Sequence, residues 1–167
     1  LVWVLAMNDK EEVSRAYNAG LRLLSYRLRS RYEMEQRLGQ RFPLAAARSA
    51  VEVLEGKGYL DDARFARAWK ESQDGHRPQS SSMIRRKLLQ RGISEEIVGA
   101  TVVGLDDEQN AYRLASKRRF NAGGVATWDG RRRLWNYLRG RGFTGEIVRK
   151  TVKRLLDETA PQDLGPG

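Results

Sequence analysis

A helix–turn–helix unit recurs in this chain at an interval of fifty residues. Its clearest copy is Met83 to Val98, MIRRKLLQRGISEEIV. Ile84, Leu88 and Leu89 make one apolar helix face, which breaks at Arg91-Gly92 because glycine enters the left-handed conformation without a Cβ clash. Ser94 then suits the N-cap of a second helix, with Glu95 and Glu96 at the positive end of its dipole. Ile93, between the two, pins the corner into a core. Fifty positions on, RLWNYLRGRGFTGEIV sets Leu134, Leu138, Gly142, Phe143, Ile147 and Val148 on Ile84, Leu88, Gly92, Ile93, Ile97 and Val98. Fifty positions back, Met34 and Leu38 hold the same places. That first copy then slips by one residue. Phe42 answers to Ile93, the turn glycine is missing, and Ala46, Val51 and Leu54 answer to Ile97, Val102 and Leu105. A period of this size means stacked helical units that bury their apolar faces against their neighbours.

The rest of the chain fits that plan. Lys10 to Arg29 reads as a helix with Leu21, Leu24 and Leu28 on one side, and Ser30 to Glu33 as a capping box for the next. Pro43 opens a third helix, which ends near Gly56, and Asp61 or Asp62 caps a fourth with Phe65, Ala66 and Trp69 on its apolar face. Ser72 to Ser82, SQDGHRPQSSS, reads as a loop, and the second unit's paired helices end near Gly104. The third unit opens with Tyr112, Leu114 and Ala115, continues through a loop from Asn121 to Gly130, and restarts with Asp129 as cap. The expected architecture is all-α. It comprises an N-terminal segment (1–15), three-helix repeats over 16–60, 61–108 and 109–156, and a disordered tail (157–167). The apolar LVWVLAM is expected to be a short strand or docking segment, being far below the roughly 20 residues that cross a bilayer.

Composition narrows the chemistry. There is no Cys and one His, so disulfides, thiolate metal sites and a Cys nucleophile are out, and neither cofactor nor metal is expected. His76 has no evident neighbour to make it a general base, and Asp61-Asp62 and Asp106-Asp107 stand where helix caps are expected. No phosphate-cradling glycine loop occurs. The expected role is therefore binding, not catalysis, and a reducing cytoplasm fits the absence of Cys.

The charge points to the binding surface. Of a net +10, residues 1–108 carry 18 Lys/Arg against 16 Asp/Glu, whereas residues 109–156 carry 13 Lys/Arg against 2 Asp/Glu. Such asymmetry calls for a polyanion or an acidic partner, and phosphate contacts would give weak, sequence-independent, salt-sensitive binding to single- and double-stranded DNA. The candidate contacts are Arg85, Arg86, Lys87, Arg91, Lys117, Arg118, Arg119, Arg131, Arg132, Arg133, Arg139 and Arg141. Trp135 and Tyr137 join them, because they fall on polar Arg85 and Lys87 of the second repeat and so are expected at the surface as anchors or stacking platforms. Against this stand a solvated basic face and a terminal repeat that packs its aromatics inward. Phe143, matched to Ile93 and Phe42, belongs to the core.

The helix LRLLSYRLRS leading to Glu33, the segment GYLDDARFA at 58–66 and RRKLLQRGI at 85–93 together resemble the RecX family, regulators of the RecA recombinase, over about residues 16–156. The missing turn glycine of the first unit and the loop HRPQSSS depart from the family pattern. The resemblance implies an elongated, curved array of three-helix repeats that lies in the groove of RecA–DNA filaments. It implies inhibition of strand exchange and ATP hydrolysis, and hindered cleavage of LexA-type repressors. Two other classes are set against it. One is a DNA-compacting or regulatory protein that works without a recombinase; the other is a structural scaffold, which leaves the third repeat's charge unexplained.

Overall fold

Most of the apolar stripes become the buried sides of helices, but Leu28 and Leu89, expected on such sides, are exposed. The computed structural model describes residues 2–76, 78–118, 120 and 122–158, with side chains from residue 9 onward other than 74–76, 122 and 123. The regular structure among the described residues is helical throughout. The first repeat supplies α1 (Val2–Tyr26), α2 (Arg31–Gly39) and α3 (Leu44–Gly56), and the second α4 (Asp62–His76), α5 (Ser81–Leu89) and α6 (Glu95–Val102). The third supplies α7 (Asp107–Lys117), a short α8 (Ala122–Ala126), α9 (Trp128–Arg139) and α10 (Gly145–Asp157).

Short polar side chains start these helices by accepting otherwise orphaned N–H groups. Ser30 Oγ accepts from Glu33 N at 3.1 Å, Ser80 Oγ from Met83 N at 3.1 Å, and Ser94 Oγ from Ile97 N at 3.4 Å. Asp61 and Asp106 do the same for Arg64 N and Gln109 N, at 2.8 and 2.9 Å. Each such cap is worth about 1 kcal/mol.

Four expectations are corrected. Residues 2–7 are the first turns of α1, not a strand. Helix α4 runs through SQDGH to His76, so the expected loop at 72–82 shrinks to the residues between α4 and α5, and Gln79 and Ser80 there are buried. The described part of the loop expected at 121–130 is mostly helical, with α8 over Ala122–Ala126 and α9 from Trp128. Thr127, not Asp129, caps α9, its hydroxyl accepting from Gly130 N at 3.0 Å. The tail from Thr159 lies outside the described residues.

The chain divides into two compact units, Leu1–Lys70 with Lys87–Thr101, and Glu71–Arg86 with Val102–Gly167. The second repeat therefore contributes to both. In the first unit, Ala16 and Ala19 of α1 pack with Met34 and Leu38 of α2 and with Ala47, Ala50, Val51 and Leu54 of α3. In the second, Ala111, Leu114, Ala115 and Val125 close on Leu134, Leu138, Phe143, Val148 and Leu155.

Both units contain a joint of the same design. In the first, Ser30 Oγ donates to Arg91 O (2.7 Å) and Arg31 N donates to Asp62 Oδ1 (2.8 Å). In the second, Ser80 N donates to Arg141 O (3.1 Å), while Ser81 donates through N and Oγ to Asp107 (2.8 and 2.9 Å). Each Asp-Asp pair thus splits its work, the first residue capping its own helix and the second holding the neighbouring repeat. The turn glycines fill the joint. Gly92 has φ +74°, and a Cβ there would stand 2.3 Å from Tyr32 Cβ. Gly142 has φ +87°, and its Cβ would stand 2.4 Å from Ser80 Oγ. The corners close by Ile93 N and Phe143 N donating to Leu88 O and Leu138 O, five residues back. In the first repeat Phe42 N reaches Leu38 O, only four back. That accounts for the one-residue slip, because the residue missing from the first corner is the glycine.

Candidate partner-binding surface

Helix α9 buries Gly130, Leu134 and Leu138, which turns Arg132, Arg133, Asn136 and Arg139 outward. Helix α10 buries Val148, Thr151 and Leu155, leaving Arg149, Lys150, Lys153 and Arg154 exposed. Acidic Glu108, Glu146 and Glu158 pair with Lys150 and Arg154 along one side of α10. The Lys150 ammonium is held above its ordinary pKa, chiefly by its hydrogen bond to Glu108 and then by that to Glu146. Arg154 also lies 3.6 Å from the Tyr112 ring centroid and donates to Gln109 Oε1 at 2.9 Å.

The residues nominated from sequence divide by what holds them. Arg118 and Arg141 both lie over the Tyr137 ring, at 4.6 and 4.8 Å from its centroid, and the Phe120 ring lies 6.0 Å away. Tyr137 is consequently half-buried against the second unit's core, which corrects the expectation that it stands at the surface. Trp135 is 38 % exposed and leans its six-membered ring on α10 at Gly145, where a Cβ would come within 2.7 Å of Cη2. It is a surface anchor with one side packed.

Several arginines serve the fold. Arg131 donates to the carbonyls of Val125 and Ala126 (3.1 and 2.8 Å), closing the end of α8, and Arg139 donates to Phe143 O (2.9 Å). Arg91 donates to Lys87 O, pairs with Glu33 at 3.7 Å and lies over the Trp69 ring at 5.0 Å. Arg86 rests against Met83 Sδ. Arg85, Lys117 and Arg133 are exposed and Lys87 is half-buried. Lys87 and Arg91 belong to the first unit and the other nominated residues to the second; Arg119 lies outside the described residues.

Three contributors were not nominated. Trp128, 66 % exposed at the start of α9, carries the Arg132 guanidinium 4.9 Å from its ring centroid. Arg149 and Lys153 occupy the open face of α10, one helical turn apart. Their signal in the sequence was the spacing opposite Val148, Thr151 and Leu155. The result is an α9 face with Arg132, Arg133 and two partly exposed tryptophans and an α10 face with Arg149 and Lys153, a cationic surface in which Arg132 pairs with Asp129 at 3.3 Å. Its chemistry suits phosphate or carboxylate partners with an apolar or stacking component.

No helix among the described residues is long and apolar enough to cross a membrane. Family models for the first, second and third three-helix domains of RecX match residues 16–54, 61–101 and 106–152. The chain is 30 % identical to the regulatory protein RecX of Chlorobium phaeobacteroides over 151 residues, covering 90 % of this chain and 99 % of that one. It is 28 % identical to that of Chlorobaculum tepidum, with 90 % and 94 % covered. The crystal structure of RecX from Lactobacillus salivarius shares the fold at a TM-score of 0.73, 21 % identity, and coverage of 89 % of this chain and 99 % of that one. Three successive RecX domain matches on three tandem three-helix repeats make this chain a member of the RecX family of regulatory proteins.

Proposed function

We propose that this protein is a negative regulator of the RecA recombinase, acting in the cytoplasm as a monomer that binds the RecA–DNA filament. It restrains ATP hydrolysis, strand exchange and co-protease activity by binding, without chemistry of its own. The observation that carries this is the second unit's exposed cations on α9 and α10, Arg132, Arg133, Arg149 and Lys153, together with the partly exposed Trp128 and Trp135 of α9. The basic side chains meet DNA phosphates or acidic recombinase loops, and the tryptophans add apolar anchoring. A regulator of this kind shifts the filament only by binding one of its states more tightly than another.

The test is RecA's ATP hydrolysis on single-stranded DNA, titrated with this protein at several DNA excesses. Inhibition that persists as DNA is added supports filament binding. Inhibition that vanishes with added DNA means simple competition for DNA, and the protein then acts without a recombinase partner.

A further inference from the structure

The turn that joins α2 to α3 is the counterpart of the two turns that seat a preceding repeat. At Arg91-Gly92 that seat is taken by Ser30 and Tyr32, and at Arg141-Gly142 by Ser80 and Met83. At Arg41-Phe42 no such N-cap side chain sits among the described residues, and Arg41 instead lines an open groove of about 230 Å³ between α1 and α2. It is lined by the largely buried Leu23 and Leu38 and by Arg22, Tyr26, Arg37 and Arg41. An adjoining groove of about 360 Å³ shares Arg22 and Arg41 and adds Arg15.

The charges here lack compensation. Arg15 is paired with Glu12 at 3.0 Å, but among the described residues no carboxylate pairs with Arg22, Arg37 or Arg41. Arg37 meets only the neutral Gln40 Oε1, at 3.3 Å. The nearby Arg29 guanidinium is pushed below its ordinary pKa, first by burial and then by Arg27, with Arg37 adding to this against Glu33. Tyr26, 84 % exposed, offers an aromatic face beside these cations.

Charge complementarity chooses the occupant. A second copy stacking its third repeat here would bring a segment with 13 Lys/Arg and 2 Asp/Glu against the arginines, which is repulsive. An acidic peptide would satisfy the arginines, but its carboxylates gain nothing from the exposed Tyr26, whose ring face is electronegative. A phosphate backbone with unstacked bases uses both. We propose that this first-unit groove is a binding site for single-stranded nucleic acid, with Arg22, Arg37 and Arg41 on phosphodiester oxygens and Tyr26 stacking a base. It is a second contact region, separate from the third repeat's surface and independent of any recombinase.

The experiment measures binding of the full-length protein to a fluorescein-labelled oligodeoxythymidine, without RecA, over a range of salt. Two variants are compared with the parent, Arg22→Ala/Arg41→Ala and Tyr26→Ala. All three side chains are exposed, and circular dichroism verifies that folding is unchanged. The double variant should flatten the slope of log K against log salt by about 1.4, from two lost phosphate contacts at about 0.7 each. Tyr26→Ala should weaken binding about five-fold or more at every salt with the slope unchanged. Arg132→Ala/Arg133→Ala, measured in parallel, reports on the third-repeat surface, so failure of one site is distinguishable from failure of the other. An unchanged slope in the Arg22/Arg41 variant, or equally tight binding of a glutamate-rich peptide that depends on the same arginines, overturns the assignment. So does a concentration-dependent dimer that Arg41→Ala abolishes.

Discussion

Gly92→Ala tests the joint that links one repeat to the next. The alanine must hold φ near +74°, which costs an L-residue about 1–2 kcal/mol. Its methyl group also falls 2.3 Å from Tyr32 Cβ and 2.6 Å from Cγ. These atoms sit next to the α2 backbone, so rotating the tyrosine does not relieve the overlap, and the helix entry itself must shift. Overpacking of this kind costs about 1–3 kcal/mol, and Ser30's hydrogen bond to Arg91 O is strained in the same movement. The expected loss is about 2–5 kcal/mol. Gly58 is the internal control: its φ is +75°, but nothing lies within 4 Å of where a Cβ would stand. Gly58→Ala therefore pays the dihedral cost alone. Urea unfolding followed by far-ultraviolet circular dichroism measures both, and the difference between the two variants isolates the steric part of the joint at about 1–3 kcal/mol. Equal losses in the two variants would refute the tight seating of Tyr32 on the Gly92 turn.

Other consequences are open to the same methods. Asp107→Ala removes the acceptor of both Ser81 donors and should cost about 1–3 kcal/mol, whereas Asp106→Ala should cost about 1 kcal/mol as a lost cap. The Asp62 carboxyl is pushed above its ordinary pKa, mainly by burial, with the Arg31 N–H bond acting the other way. The folded state therefore holds that proton more tightly than the unfolded chain, and this contribution to stability is lost as pH rises from the ordinary carboxylate value through the raised one. Asp62→Asn, which keeps an oxygen acceptor without the charge, should flatten that fall, and thermal melts at acid and neutral pH read it. Leu138→Ala empties the middle of the second unit's core and should cost about 2–5 kcal/mol in urea unfolding.

The repeat was legible because its core positions carry nothing but packing. Ile84, Leu88, Ile93 and Val98 are buried, as are Leu134, Leu138, Phe143 and Val148 at the matching places. What sequence hid was use that depends on neighbours far along the chain. The turn glycines were legible as helix stops, but not as the floor of a joint with Ser30 and Ser80. SQDGH read as a loop because its residues favour turns locally, yet α4 continues through them. Asp129 and Thr127 are both good caps, and only the structure shows Thr127 bridging Gly124 O and Gly130 N. Summed charge misled in both directions. Arg131 and Arg139 add to that sum but spend their guanidiniums on backbone carbonyls, while a net of +2 over residues 1–108 conceals the arginine groove at Tyr26.

The proposed function requires that this protein recognise the recombinase filament and not merely the DNA within it. Its binding should be measured at moderate salt to a single-stranded oligonucleotide, first bare and then coated with RecA and a slowly hydrolysed nucleotide. Binding should be tighter to the coated strand, and Arg132→Ala/Arg133→Ala or Trp128→Ala should lose that advantage. Equal or weaker binding to the filament would contradict it, and the basic surface would then be a DNA-binding surface alone.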